Sequence, residues 1–294
     1  MGITAEMVKE LRDKTGAGMM DCKKALVAND ADMEKSVEWL REKGIAKAEK
    51  KVSRIAAEGL GEIVISGNKA VVYELNCETD FVAKNDIFKE LLEKIGNALV
   101  ASDATCTDCA LELNVEGKTI SELLLESTAK IGEKLTLRNV KVFTKNDNQV
   151  FGSYKHNGGK IVVLTIANGN DQSVAKDIAM HVAALDPQYL DQTKISADFI
   201  EHEKDILIKE TQNDPKAQGK PLEIIEKMVA GRLNKNLKEM CLVNQLFVKN
   251  PEQTVEQFLQ SKKMSLDSFY RLVVGQGIEK KEVDFVTEVM SQIK

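Results

Sequence analysis

Residues 69–85 read KAVVYELNCETDFVAKN and decide how the first half of the chain folds. β-Branched and aromatic side chains dominate Lys69–Leu75, which favours a β-strand. Apolar residues recur at helical spacing after this stretch and predict a helix, which Asn85 or Asp86 can cap. The connection Thr79–Asn85 therefore carries an acid, an aromatic ring and a lysine on one short loop, and binding groups concentrate on such loops.

The local sequence does not determine whether Phe81 in this connection is buried or exposed. A Phe beside Val and Ala packs into its own core by roughly two to one, on burial preference alone. The alternative is an exposed ring that binds a partner. An internal repeat weakly favours the alternative, since Gln172 stands at the position equivalent to Phe81.

That repeat aligns Gly61–Ile87 with Gly152–Ile178. Each copy predicts a strand, a turn, a second strand and a helix. A further strand is predicted to complete each copy, at Leu135–Phe143 in the first and at Leu242–Val248 in the second. The pattern predicts two related lobes, each a small antiparallel sheet with helices on one face.

The N-terminal region shows short amphipathic stripes that predict a bundle of three helices. Gly16 and Gly18 are expected to end the first helix, and Gly44 is expected to close the third. Residues 45–54 are interpreted as a basic, solvated tether rather than as a nucleic-acid-binding patch.

Two further segments adjoin the second lobe. Residues 196–236 carry two helical stripes around Asn213-Asp214-Pro215, which predicts an antiparallel helical hairpin. Such a hairpin either packs only on itself or mediates self-association. Residues 265–294 predict a strand at Phe269–Val274, a glycine turn and a closing helix.

Together these patterns predict an α+β fold built of several small parts, as suits a chain of 294 residues. The predicted parts are an N-terminal three-helix bundle and linker (1–54), a first lobe (55–143), a second lobe (144–195 and 237–264), an inserted helical hairpin (196–236) and a C-terminal strand-helix module (265–294).

Composition excludes several classes of protein. The net charge of −5 argues against nucleic acid as a partner, although it does not fix how charge is distributed over the surface. No apolar run approaches the ~20 residues that span a bilayer, and no signal segment is visible, so we expect a cytoplasmic protein with no membrane partner. The five cysteines are scattered and odd in number, which predicts reduced thiols.

Motifs for catalysis are absent from the sequence. It contains no phosphate-binding glycine loop, no dinucleotide-binding glycine motif and no nucleophile elbow. Cys106 and Cys109 form a lone CxxC, which lacks the second ligand pair of a zinc site and is interpreted as incidental. The alternative is a redox or metal enzyme that uses this pair. We predict no enzymatic activity, no catalytic residue, no bound metal and no cofactor.

Three segments carry a family resemblance. They are Leu11–Leu26 (LRDKTGAGMMDCKKAL), Thr79–Asn85 (TDFVAKN) and Gly275–Lys280 (GQGIEK). In order and spacing they closely resemble bacterial elongation factor Ts, the guanine-nucleotide exchange factor of the GTPase elongation factor Tu. The resemblance runs from residue 3 to about residue 290 and implies elongation factor Tu as the partner.

The resemblance also implies roles for individual residues and segments. The residues implied to dislodge Mg²⁺ from elongation factor Tu are Thr79, Asp80, Phe81 and Val82. The other implied partner contacts are Arg12, Met19, Met20, Lys23, Ile131, Gly132 and His156. The N-terminal bundle resembles a ubiquitin-associated-like domain, and the helical hairpin resembles a dimerisation module, which implies a homodimer.

Two departures from the family pattern fall in the second lobe. Leu246 replaces a proline that is usual before Phe247-Val248, and Asn157-Gly158-Gly159 lengthens the turn after His156. Both bear on the partner contacts of this lobe. A rival hypothesis is a pure interaction module, in which the N-terminal bundle binds ubiquitin-like or peptide partners. That hypothesis leaves Thr79–Asn85 unexplained.

Overall fold

The computed structural model of the chain describes residues 3–214 and 221–279. The described chain divides into a first unit of residues 3–143, 158–160 and 273–279 and a second unit of residues 144–157 and 161–272. Helices and small antiparallel sheets make up the described chain, so the predicted α+β fold class is confirmed.

The first unit holds the N-terminal helices and the first sheet. Its helices are α1 (Ala5–Thr15), α2 (Met19–Ala28), α3 (Met33–Glu49), α4 (Asp80–Ala83), α5 (Asp86–Ala101), α6 (Thr107–Leu111) and α7 (Ile120–Ile131). Its strands are β1 (Glu58–Ser66), β2 (Lys69–Cys77), β3 (Asn114–Val115), β4 (Lys118–Thr119) and β5 (Thr136–Thr144).

α1, α2 and α3 form the predicted three-helix bundle around a small apolar core that includes Leu11 and Leu26. Gly16 ends α1 with a left-handed backbone at φ +67°, as expected of a glycine cap. The prediction that Gly44 closes the third helix is wrong, because α3 continues to Glu49. The irregular connection to β1 spans residues 50–57. It therefore begins five residues later than the predicted tether, because residues 45–49 belong to α3.

Packing between helices explains why Gly44 lies inside α3. A Cβ at this position would lie 3.0 Å from the Cβ of Ala129 on α7, so glycine allows the two helices to approach closely. Glycine in a helix interior costs ~1 kcal/mol relative to alanine. The contact between α3 and α7 outweighs this local preference, and the local sequence does not reveal that contact.

The first sheet has the strand order β1-β2-β5. The third strand confirms the prediction for Leu135–Phe143. The apolar face of α5 covers β1 and β2, and the buried Tyr73 hydroxyl of β2 donates to the carbonyl of Leu92 at 2.6 Å. Gly96 of α5 is required there, because a Cβ would collide with the Tyr73 hydroxyl and lie 2.7 Å from Val64 Cγ2.

The glycine motif near the C-terminus belongs to the packing of the first unit. The N–H of Gly275 donates to the buried carboxylate of Glu74 at 2.9 Å. Gly275 has φ +78°, and a Cβ on it would collide with the carbonyl of Ala57. Glu74 also pairs with Arg138 at 3.0 Å, so this buried charge is compensated.

The second unit holds the second sheet and the long helices. Its strands are β6 (Gln149–His156), β7 (Ile161–Asn168), β8 (Leu246–Phe247), β9 (Asn250–Thr254) and β10 (Ser265–Val273). Its helices are α8 (Gln172–Leu185), α9 (Ala197–Asn213), α10 (Leu222–Met240) and α11 (Val255–Ser261).

The second sheet has the strand order β10-β7-β6, so its centre is again the second strand of a hairpin. The prediction of a third strand at Leu242–Val248 is wrong, because β10 takes that place. Residues 242–248 form a 3-10 turn and the short β8, which pairs with β9. Leu242 and Phe247 are buried in the core with α8, so their apolar character reflects core packing rather than pairing in the sheet.

α9 and α10 pack against each other as the predicted hairpin requires. Phe199, near the start of α9, shares an apolar cluster with Leu237, near the end of α10, so the helices are antiparallel. Pro215 and Gly219 lie outside the described residues, as does the predicted closing helix near the C-terminus. Within residues 3–214 and 221–279, no helix is long and apolar enough to cross a membrane.

The cysteines differ from the prediction at one pair. Cys106 and Cys109 form a disulfide, so the expectation of reduced thiols is wrong for them. Cys106 caps α6 and Cys109 lies within its first turn, which brings the two Cα atoms to 5.2 Å. The remaining free cysteines are buried. In the described part of the chain, no three His, Cys, Asp or Glu side chains are grouped to hold a metal ion.

His181 on α8 is buried and uses both ring nitrogens. Nδ1 accepts the N–H of Val248 at 3.1 Å, which leaves Nε2 to donate to Gln245 Oε1 at 2.9 Å. Burial lowers the pKa of His181, and the bond to Gln245 acts more weakly in the opposite direction. A proton on Nδ1 would face the Val248 N–H and break that bond.

We expect the second unit to lose stability as the pH falls below 6.5, the ordinary pKa of histidine. Because its pKa is lower in the folded state, His181 binds more protons when unfolded than when folded, so acid favours unfolding by at most ~1.4 kcal/mol per pH unit. Urea unfolding at several pH values measures this slope. His181→Gln should flatten it, whereas His202→Gln, at an exposed position on α9, should not. An unchanged slope in His181→Gln would contradict the assignment.

Gly96→Ala should lower the free energy of unfolding of the first unit by about 1–3 kcal/mol, because the added methyl group overpacks the core. Gly231→Ala on α10 is the matched control, since no atom lies within 4 Å of a Cβ there. The control should gain up to about 1 kcal/mol from helix propensity. Chemical denaturation of both variants provides the comparison, and equal stabilisation of the two would show that Gly96 is not in close contact.

Candidate functional site

The connection Thr79–Asn85 is a capped single turn of helix rather than an open loop. Thr79 caps α4 by accepting the N–H of Val82 at 3.4 Å. Asn85 caps α5 by accepting the N–H of Ile87 at 2.9 Å, which selects it over Asp86 as the cap. The backbone of the connection is therefore fixed at both ends.

In α4, the Phe81 side chain points to solvent, whereas the next two residues pack against the core. Phe81 is 80% exposed, whereas Val82 packs against the first core and Ala83 is buried. The sequence left the environment of Phe81 open, and the structure shows that the ring is exposed rather than packed into its own core. A helix of one turn offers a single face to the sheet, and Val82 and Ala83 occupy it.

Charged groups surround the exposed ring. The Asp80 carboxylate pairs with Lys84 Nζ at 2.7 Å, and the bond to Lys84 holds the pKa of Asp80 below its usual value. Lys84 Nζ also lies 5.9 Å from the centroid of the Phe81 ring, within cation–π distance. The turn therefore presents an ionised acid and an aromatic ring side by side, with a lysine bridging them.

Glu133 holds the start of this turn through hydrogen bonds to its carboxylate. Its carboxylate accepts the N–H of Glu78 at 3.1 Å, the N–H of Thr79 at 2.9 Å and the Thr79 hydroxyl at 2.7 Å. Hydrogen bonds to an ionised acceptor are roughly twice as strong as neutral ones. Glu133 follows α7 directly, so it joins the start of α4 to an element more than fifty residues away.

A further set of contacts supports Glu133. The Glu78 carboxylate accepts the N–H of Lys134 at 2.7 Å and pairs with Arg54 at 3.2 Å. The Cys77 thiol donates to the carbonyl of Thr79 at 3.0 Å. Burial raises the pKa of Cys77 to about 12, so it remains a protonated donor. The backbone on both sides of Thr79 is thus held by side chains.

Ile131 and Gly132 lie at the same corner of the first unit, directly before Glu133. Ile131 is half-buried against the first core. Gly132 is exposed, ends α7 with φ +92°, and accepts a hydrogen bond from Lys51 through its carbonyl. The structure therefore brings Ile131-Gly132 and Thr79–Val82 together through Glu133.

The other predicted contact residues occupy separate elements. Met19 and Met20 begin α2 and are 52% and 66% exposed. Arg12 on α1 and Lys23 on α2 are exposed as well. His156 belongs to the second unit, where it ends β6, is exposed, and lies 3.4 Å from the Tyr154 hydroxyl through Nδ1.

Sequence analysis did not single out Glu133, whose hydrogen bonds hold the candidate turn. The only local signal was its position after Ile131-Gly132, where a glycine ends a helix. A carboxylate there is equally consistent with a solvated surface residue. Its role depends on the nonlocal approach of the β2–α4 junction, which periodicity does not encode.

Comparison with known families identifies the family of the chain. The family model described as elongation factor TS matches residues 78–276, which is more than half of the chain. The match includes Thr79–Val82, Glu133 and His156, whereas Arg12, Met19, Met20 and Lys23 precede it. The chain therefore belongs to the elongation factor Ts family, whose members act in nucleotide exchange on elongation factor Tu.

Proposed function

We propose that this chain binds elongation factor Tu in its GDP form and accelerates GDP release during translation elongation in the cytoplasm. The observation that carries the proposal is the exposed Phe81 ring on a turn held by Glu133. Membership of the elongation factor Ts family supports the choice of partner. The chain acts by binding, so its contribution to exchange is a change in the affinity of another protein for its nucleotide.

Phe81 supplies an apolar wedge for this task. Burying a Phe side chain is worth about 1.5–3 kcal/mol. Because α4 is already ordered by Thr79, Asn85 and Glu133, little further ordering opposes this gain on binding. If the ring fits the nucleotide-free partner better than the GDP form, the partner loses affinity for GDP by the same factor. A difference of ~3 kcal/mol corresponds to about a hundredfold change.

Asp80 adds an electrostatic component. A translational GTPase holds GDP partly through Mg²⁺, which compensates the phosphate charge. Asp80 stays ionised beside Lys84, and it stands next to Phe81, so insertion of the ring carries a negative charge towards the polar shell of that ion. One exposed carboxylate is too few ligands to retain Mg²⁺, so the ion is displaced rather than transferred.

The remaining predicted residues are further contacts with the partner, each within its own unit. Exposed Met19 and Met20 suit an adaptable apolar contact, and Arg12 and Lys23 flank them with positive charge. Ile131 and Gly132 join the contact at the Glu133 corner, and His156 adds one from the second unit. We assign α9 and α10 to self-association, in which a second copy of the chain packs on the hairpin.

Phe81→Ala should slow the release of a fluorescent GDP from elongation factor Tu by about one to two orders of magnitude at fixed Mg²⁺, since it removes the wedge. The fold should remain intact because the ring is 80% exposed. Ile65→Ala on β1 is the matched control, with a side chain that is 37% exposed and lies outside the turn. Equal rates for Phe81→Ala and wild type would reject the wedge.

Glu133→Ala should also slow exchange, because the turn loses three hydrogen bonds. The variant should mainly lower the affinity for the partner, because the loosened turn must then become ordered on binding, which costs free energy. Glu133→Gln keeps one acceptor oxygen and should lie between wild type and Glu133→Ala. Glu90→Ala on α5 is an exposed control. If the GDP release rates of the Glu133 variants simply followed their thermal stabilities, the role of Glu133 would be purely structural.

The rival interaction module makes a distinct prediction in the same assay. It expects binding through the N-terminal bundle with no acceleration of GDP release by folded wild-type protein. Exposed Met19 and Met20 are compatible with both hypotheses, whereas only the exchange factor uses Phe81. The rate of GDP release therefore separates the two.

A further inference from the structure

A cavity of about 480 Å³ opens in the first unit between the three-helix bundle and α7. Its walls include the end of α1, the Ala17-Gly18 connection, parts of α2 and α3, and the second half of α7. Leu40, Ile45 and Ala129 contribute apolar lining. The volume lies within the range of about 300–1,000 Å³ that small-molecule sites occupy. Neither Thr79–Asn85 nor Glu133 lines this cavity.

Cationic side chains dominate the polar lining. Seven lining residues are lysine or arginine and two are acidic, which gives the lining a formal charge of +5. The whole chain has a net charge of −5, so this concentration of positive charge contrasts with the rest of the protein. Like charges gathered around a concave, partly apolar wall raise the local potential and attract anions.

The two acids compensate only part of this charge. Glu126 on α7 pairs with Arg41 at 3.0 Å and also with Lys118. Asp21 pairs with Lys47 at 3.0 Å. Each acid thus holds a neighbouring cation in place at the cavity, and the Glu126 carboxylate is shared between two.

Three lining lysines remain uncompensated. In residues 3–214 and 221–279, no ion pair involves Lys24, Lys43 or Lys130. They stand on three different helices, α2, α3 and α7, so they approach the cavity from separate directions. Lys43 Nζ lies 4.9 Å from the ring centroid of Trp39, which also lines the cavity. Such an arrangement can contact several oxygens of one ligand at once.

We propose that this cavity binds a small polyanion that carries two or more phosphate groups. Lysines on three helices match a ligand with several oxygens, whereas a single carboxylate would leave most of them unpaired. The apolar residues provide a surface for an uncharged body attached to the phosphates, such as a nucleoside. The cavity recognises the linked phosphate groups, which either a free polyphosphate ion or a nucleotide can supply.

Size and charge favour a small ligand over a nucleic acid. An RNA strand would extend beyond the cavity onto a chain of net charge −5, where each further phosphate meets repulsion. A diphosphate concentrates its charge within the cavity and avoids that surface. A short acidic peptide places its charges farther apart, one for each side chain, and so fits the convergent lysines less well.

Trp39 provides the direct measurement, because it is the single tryptophan of the chain. Inorganic pyrophosphate and ADP are titrated separately into the full-length protein, with tryptophan fluorescence and calorimetry as independent readouts. Saturable binding is expected, and added salt should weaken it because the contacts are exposed charges. Equal affinities would identify the polyphosphate itself as the ligand, and tighter binding of ADP would identify a nucleotide.

The variant Lys24→Glu/Lys130→Glu should weaken binding by more than about tenfold, since it reverses two cavity charges. Lys43→Gln should weaken it less and should alter the Trp39 signal. Lys176→Glu is the control, because it also reverses a lysine charge, at an exposed position near the start of α8. Circular dichroism verifies that each variant is folded.

Three results would overturn the proposal. The first is absence of saturable binding of both pyrophosphate and ADP in calorimetry. The second is an equal loss of affinity in Lys176→Glu, which would indicate nonspecific attraction. The third is tighter binding of single-stranded RNA or a poly-glutamate peptide with the same dependence on Lys24 and Lys130, which would assign the surface to a macromolecule.

Discussion

The carboxylate of Glu133 is the interaction on which the candidate site depends. It accepts two backbone N–H groups and one hydroxyl at the junction of β2 and α4, where the chain leaves the sheet. Fixing the backbone of one residue costs about 1–2 kcal/mol of conformational entropy. With the carboxylate in place, that cost is met during folding, so a partner encounters a turn that already has its final shape.

Much of the fold follows from patterns that are local in sequence. Strands β1 and β2 and helix α5 were predictable from short stretches of sequence. In each stretch, the spacing of apolar residues and the position of turn residues indicate the same element. A cap at Asn85 or Asp86 was predictable because such a side chain bonds to a backbone group nearby in sequence, and the structure selects Asn85. The strand–turn–strand–helix pattern of each repeat was predictable for the same reason, whereas the third strand of the second copy was not.

The features that sequence analysis missed depend on distant neighbours. Gly44 stays helical because Ala129 approaches it, and the second sheet takes β10 as its third strand because residues 242–248 are used in the core. Glu133 acquires its role only when α7 ends beside Thr79. The exposed state of Phe81 was also undetermined, because burial preference describes an average Phe and not one on a single turn with an occupied inner face.

Comparison of the two lobes shows how the candidate turn differs from an ordinary strand–helix connection. In the second lobe, Asp171 caps α8 and the buried pair Val174-Ala175 continues into one long helix. In the first lobe, the equivalent pair Val82-Ala83 also faces inward, but Asn85 interrupts the helix and begins a new one. The inward anchor is thus common to both copies. The break isolates one turn, and Glu133 fixes it with Phe81 outward, so Phe81 takes no part in the packing of the lobe.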